Sequence, residues 1–188
     1  MTTEDVLYST GWNDLTRRPL MGHRWLSVDE ARAAWNAGYE ARGLVTVVDA
    51  VERDEEGNPR ARWVIGGSST GRVRVRFFTP GGSVWRSTDY DVIDGRLWRW
   101  ISVTYVYPDQ ENRYYEFQTL RKITEEFRPD GTGTVEFDEK DESVLHTARL
   151  TGAPVSGFWL DRPEFGDWSN LTNPEYGVPT DQPQAQPS

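Results

Sequence analysis

The stretch GRLWRWISVTYVY, residues 95 to 107, decides how this chain is read. Side chains alternate between the two faces of a strand, so the run divides into two stripes. Leu97, Arg99, Ile101, Val103, Tyr105 and Tyr107 form one; Arg96, Trp98, Trp100, Ser102, Thr104 and Val106 form the other. Both stripes are largely apolar or aromatic, whereas an ordinary half-buried strand is polar on one side. Something must therefore cover the second face, and Arg99 sits among aliphatic and aromatic neighbours.

Working outward, the same period of two recurs from Leu44 to Leu150. It predicts eight strands: LVTVVDAVE, ARWVIG, RVRVRFF, SVWRSTDYDVI, RLWRWISVTYVY, RYYEFQTLRKITEEF, GTVEFD and SVLHTARL. The connections EEGNP, GGSSTG, TPGGS, DG, PDQEN, RPDGTG and DEKDE are rich in turn formers. They are too short for the crossovers that parallel strands need. The expected fold is mainly β, a single-domain antiparallel meander closing into a roughly eight-stranded barrel, because closure removes exposed edges. A curved open sheet folded around one helix is the alternative. In outline the meander is similar to the lipocalin and calycin barrels. The likeness is architectural: Gly11 and Trp12 are adjacent and precede the helix, where those families carry G-x-W near the first strand, and no C-terminal helix is evident.

Ahead of the strands, SVDEARAAWNAGYEARG predicts one amphipathic helix over 28–42. Ser27 and Glu30 make a capping box, Gly43 a stop, and Val28, Ala31, Trp35 and Tyr39 an apolar stripe. Residues 1–26 read as an irregular N-terminal segment and 27–177 as the helix and barrel domain. The aromatic end of that domain, Phe158, Trp159, Phe165, Trp168 and Tyr176, is expected to pack rather than hang free. Residues 178–188 read as a disordered Pro/Gln-rich tail.

Composition narrows the functional classes. There is no cysteine, which removes disulfides, thiolate metal sites and thiol catalysis. The formal net charge of -9 argues against nucleic acid and anionic membranes and leaves room for a basic protein partner. The N-terminus has neither the basic nor the apolar region of a signal peptide, and a cytoplasmic location is expected. Arginine supplies the basic charge almost alone, with Lys122 and Lys140 the only lysines. His23 and His146 are too far apart in sequence to suggest a metal site. The acidic clusters Asp54-Glu55-Glu56 and 138–142 lack calcium-loop spacing and read as hairpin tips. No P-loop, GxGxxG or GxSxG motif occurs. No cofactor is implied.

The candidate site comes from polar residues that interrupt apolar stripes. Arg86 lies with Val84, Tyr90 and Val92; Arg99 with Leu97, Ile101 and Tyr105; Arg121 with Phe117 and Ile123; His146 with Val144, Ala148 and Leu150. If these stripes face one interior, Arg86, Arg99, Arg121, Tyr90, Tyr105 and Phe117 line a ligand cup, with His146 as its acid or base. Buried guanidinium groups call for an anion. The structural alternative pairs each arginine with a carboxylate such as Glu116, Asp89 or Asp49. The leading functional expectation is binding of a hydrophobic, anionic small molecule, extending to its cofactor-free cyclisation or isomerisation. The other is an acidic protein-interaction module, such as a toxin-neutralising protein or a complex subunit, with a homodimer also open. An arginine set turned into a common void separates the first from the second, which requires an exposed aromatic patch beside acids.

Overall fold

In the computed structural model, which describes residues 5–37, 45–68 and 70–176, β-structure dominates. The elements in chain order are β1 (Val6–Ser9), β2 (Trp12–Asn13), β3 (Arg18–Pro19), β4 (Trp25–Leu26), α1 (Val28–Ala37), β5 (Val45–Asp49), β6 (Trp63–Gly67) and β7 (Val73–Phe78). They continue with β8 (Val84–Ile93), β9 (Arg96–Val106), β10 (Arg121–Phe127), β11 (Gly133–Glu139), β12 (His146–Leu150) and β13 (Trp159–Leu160). The eight expected strands are β5 to β12, each pairing antiparallel with its neighbour in sequence. Asp94 and Gly95 join β8 to β9 with both residues at positive φ, 51° and 79°. That is the two-residue turn whose twist matches a hairpin.

The sheet does not close, which corrects the barrel. It has 11 strands in the order β12-β11-β10-β9-β8-β7-β6-β5-β1-β4, with β13 paired to β9, so β12 and β4 are its two ends. The segment expected to be irregular supplies β1 and β4 to the sheet, and β2 and β3 to a separate two-stranded ribbon. Closure would require an empty or side-chain-filled interior. Here the helix and the C-terminal segment occupy that space. Ala31 and Trp35 of α1, with Leu160, Trp168 and Leu171, join one buried cluster with residues of β1 and β5 to β9. Trp35 meets Trp168 edge to face at 4.8 Å and donates its indole N–H to the Pro163 carbonyl at 3.0 Å. The aromatic C-terminal segment is thus core, as its composition predicts.

Helix α1 begins as expected: the Glu30 amide donates to Ser27 Oγ, and Glu30 Oε2 accepts the Ser27 amide at 2.8 Å. The rest of the expected helix, with Tyr39 and Gly43, and the expected tail fall outside the described residues. On the far face of β5 and β6, Trp12 from the small ribbon covers Val48 and Val64. Two arginines of RVRVRFF are paired there too, Arg72 just ahead of β7 with Asp91 and Arg74 on β7 with Asp89, both acids on β8 and each pair joined by two hydrogen bonds. Arg76 reaches Asp14 instead.

The opening stretch departs from simple alternation. Thr88 pairs with Ser102 and Asp89 with Ile101, but Tyr90 pairs with Arg99. Trp100 is one residue too many, a β-bulge, and the stripes exchange faces across it. Leu97 and Arg99 therefore share a face with Ser102 and Thr104, whereas Ile101, Val103 and Tyr105 lie on the other.

Candidate functional site

The bulge assembles a polar cluster on the core-facing side of β8 and β9. Arg86, Thr88 and Tyr90 follow one another on that side of β8, and Arg99 and Ser102 face them from β9. Arg86 Nε donates to Ser102 Oγ at 3.3 Å, and the Ser102 and Thr88 hydroxyls are also 3.3 Å apart. Among the described residues Arg86 makes no ion pair. Arg99 makes one, donating from Nη2 to Glu125 Oε2 on β10 at 3.2 Å. Its guanidinium carbon lies 4.4 Å from the centre of the Phe158 ring.

Arg99 is the most confined of these charges, its side chain 4% exposed. Nη1 is buried with no hydrogen-bond partner. Burial pushes the Arg99 pKa down, Glu125 opposes that shift, and the like charge of Arg86 adds to it. Tyr90 is pushed up to about 12 by burial, against the pull of both arginines. Its hydroxyl makes no hydrogen bond among the described residues. Of the two guanidinium groups only Arg99 is ion-paired, to Glu125, with the Glu175 carboxylate acting on it more weakly, and both lie in a poorly solvated place.

The other expected site residues do not join them. Arg121 keeps to the same face of the sheet but registers with Val106, roughly 20 Å along β9 from Arg99 at ~3.3 Å per residue. It pairs with Glu139. His146 also lies on that face, on β12, three strands from β9 and so about 14 Å away in the sheet. It is exposed, with Nε2 2.6 Å from Glu142 Oε2. Neither the arginine nor the imidazole reaches the Arg99 cluster. Tyr105 is turned to the opposite face by the bulge, where it stacks near Tyr107 at 6.5 Å and is raised to about 12 by burial, then by the Glu116 carboxylate. Phe117 is not on a strand at all. It lies in a short 3-10 turn, Glu116–Gln118, and is 82% exposed.

Of the carboxylates expected to serve the arginines, Asp89 holds Arg74 and Asp49 holds Arg62, while Glu116 lies near Tyr105. Sequence reading missed Glu125, Ser102, Thr88 and Phe158. Glu125 was within reach, since it follows Arg121 and Ile123 on one stripe of RKITEEF. Ser102 was not, because only the bulge brings it to the arginine side. Among the described residues no cluster of three or more His, Asp or Glu side chains could hold a metal ion. None of their helices is long and apolar enough to cross a membrane. The chain matches no family model, no curated protein and no solved structure.

Proposed function

We infer that the chain binds a small organic anion, a carboxylate carried on an apolar or aromatic body, at the Arg86–Arg99 pair. The observation that carries this reading is the buried, unpartnered Nη1 of Arg99 beside a second buried arginine that has no ion pair among the described residues. Guanidinium groups bind carboxylates through parallel N–H donors. Ser102, Thr88 and the Tyr90 hydroxyl add neutral donors, and Phe158 offers a flat apolar wall. Glu125 holds Arg99 through one bond only, so an incoming carboxylate joins it and offsets the charge of Arg86. The reading is one of binding, because His146, the residue on which an isomerisation or cyclisation would turn, lies on another strand, away from the cluster.

Isothermal titration with benzoate, phenylacetate and decanoate tests this. Binding of at least one, weakened at least tenfold by Arg99→Met and by Arg86→Met, is expected from the loss of charged hydrogen bonds. Equal affinity in both variants and the parent, or no binding of any of the three, overturns it.

A second reading, docking of a basic protein, is favoured by a different observation. Tyr115 and Phe117 stack on each other at 5.7 Å while both are exposed, next to Glu116. Leu120, Val144 and Leu145 are exposed as well, and Asp141 and Glu142 precede the last two. Association of this kind weakens steeply with salt and is lost in Phe117→Ala.

A further inference from the structure

Trp100 is the residue that the break in register leaves over, and it is turned away from the arginine pair. Bulges re-aim side chains, often beside functional sites. Its indole is 37% exposed on the outer face of the sheet. The surface dips on both sides of it. One cleft, of about 490 Å³, is lined by Gly66, Thr70, Arg74 and Asp89. The other, of about 540 Å³, is lined by Glu126, Thr134 and Arg149.

The two clefts belong to one line. The pairing register sets Arg74, Asp89, Ile101, Glu126, Thr134 and Arg149 side by side across β7 to β12. Six strands at ~4.8 Å make a row about 24 Å long, the reach of a short oligosaccharide. Its two acids lie between two arginines, so its net charge is zero, and Arg74 and Asp89 are already joined by two bonds of 2.6 Å. Such a row does not select a charged ligand: an anion meets Asp89 and Glu126, a cation meets Arg74 and Arg149. It suits groups that donate and accept at once, as hydroxyls do. A pyranose ring has hydroxyls at its rim and an apolar C–H face that packs on an indole.

We propose that this row, with Trp100 at its centre, is a binding groove for a neutral oligosaccharide. The groove lies on the face opposite the Arg86–Arg99 pair and is independent of it. Gly66, where a Cβ would meet nothing nearer than the Arg74 carbonyl at 3.9 Å, keeps one end open, and the exposed side chain of Arg149 marks the other.

Affinity electrophoresis in gels containing mixed-linkage β-glucan, xylan, mannan or dextran tests the proposal. Retardation by at least one polymer is expected, reduced at least tenfold in Trp100→Ala. Arg149→Ala, at an exposed position on an edge strand, should reduce it in the same direction and serves should the tryptophan variant fail to fold. Titration with a hexasaccharide of the retarding polymer and with its monosaccharide should differ at least tenfold in affinity. Migration unaffected by all four polymers, retardation unchanged in both variants, or equal affinity for the monosaccharide and the hexasaccharide would each overturn the groove.

Discussion

Tyr90 lies across from Arg99, one residue out of step with the pairing of Asp89 and Ile101. In unbroken register its partner would be Trp100, and an indole would face the core while Arg99 faced solvent. The extra residue reverses this. It brings a guanidinium under Phe158 and beside Glu125, and it sends the indole out onto the opposite face. One local irregularity thus creates both candidate binding surfaces.

The Arg99–Glu125 pair responds unequally to removal of its two members. Glu125→Ala leaves a buried cation without its anion and is expected to cost about 3 kcal/mol. Arg99→Met replaces the charge with apolar volume and should stay within about 1 kcal/mol of the parent. Urea unfolding measures both, and equal losses would mean that the desolvation of Arg99 is not what the pair balances.

Deleting Trp100 should leave the faces of β9 intact. Without it, Arg99 still meets Tyr90 and Ile101 still meets Asp89, now in continuous register. A cooperative thermal transition is expected for the deletion variant, with amide exchange in β8 and β9 as protected as in the parent. Loss of cooperativity would show that another residue carries the irregularity.

The C-terminal segment is core, so its truncation in place should behave as a core mutation. Trp168 is 1% exposed and lies edge-on to Trp35 and Phe165. Trp168→Ala is expected to cost about 3–5 kcal/mol, the range for emptying a large aromatic site. A chemical-denaturation midpoint close to the parent's would place the segment outside the cooperative unit.

Helix α1 should weaken in acid through its first turn. The Arg24 guanidinium and the Ser27 amide and hydroxyl hold the Glu30 carboxyl down to about 2. A lowered folded-state pKa contributes stability above the ordinary value of 4.5 that is lost as pH falls towards 2. Melting temperatures across that window should therefore fall more steeply for the parent than for Glu30→Gln. Parallel curves would remove Glu30 from the acid response.

Much of the architecture was legible because it rests on local chemistry. Period-two stripes, the Asp94-Gly95 turn and the Ser27–Glu30 capping box each specify a short piece of backbone without reference to the rest of the chain. Cross-strand pairs such as Arg74 with Asp89 rest on the same kind of local chemistry, since such neighbours follow from a hairpin's register. β1 and β4 were not, because strands of four and two residues leave too little pattern to distinguish from loop. Within the candidate site, Arg86, Arg99 and Tyr90 were found from their stripes. Their separation from Arg121 and His146 was not, because sharing a face says nothing about distance along and across a sheet.

The sequence by itself determined that β5 to β12 form a meander, that one helix precedes it, and that the aromatic C-terminal segment must be buried. Those outcomes follow from periodicity, turn chemistry and the cost of exposing large rings. Only the tertiary structure decided that the sheet stays open, because the space a barrel would enclose is taken by Trp35, Trp168 and Leu171. It alone decided, too, which face each residue of 95–107 occupies. A bulge is a choice between two strand registers, and that choice is made by what packs against each face, on residues far away in the chain.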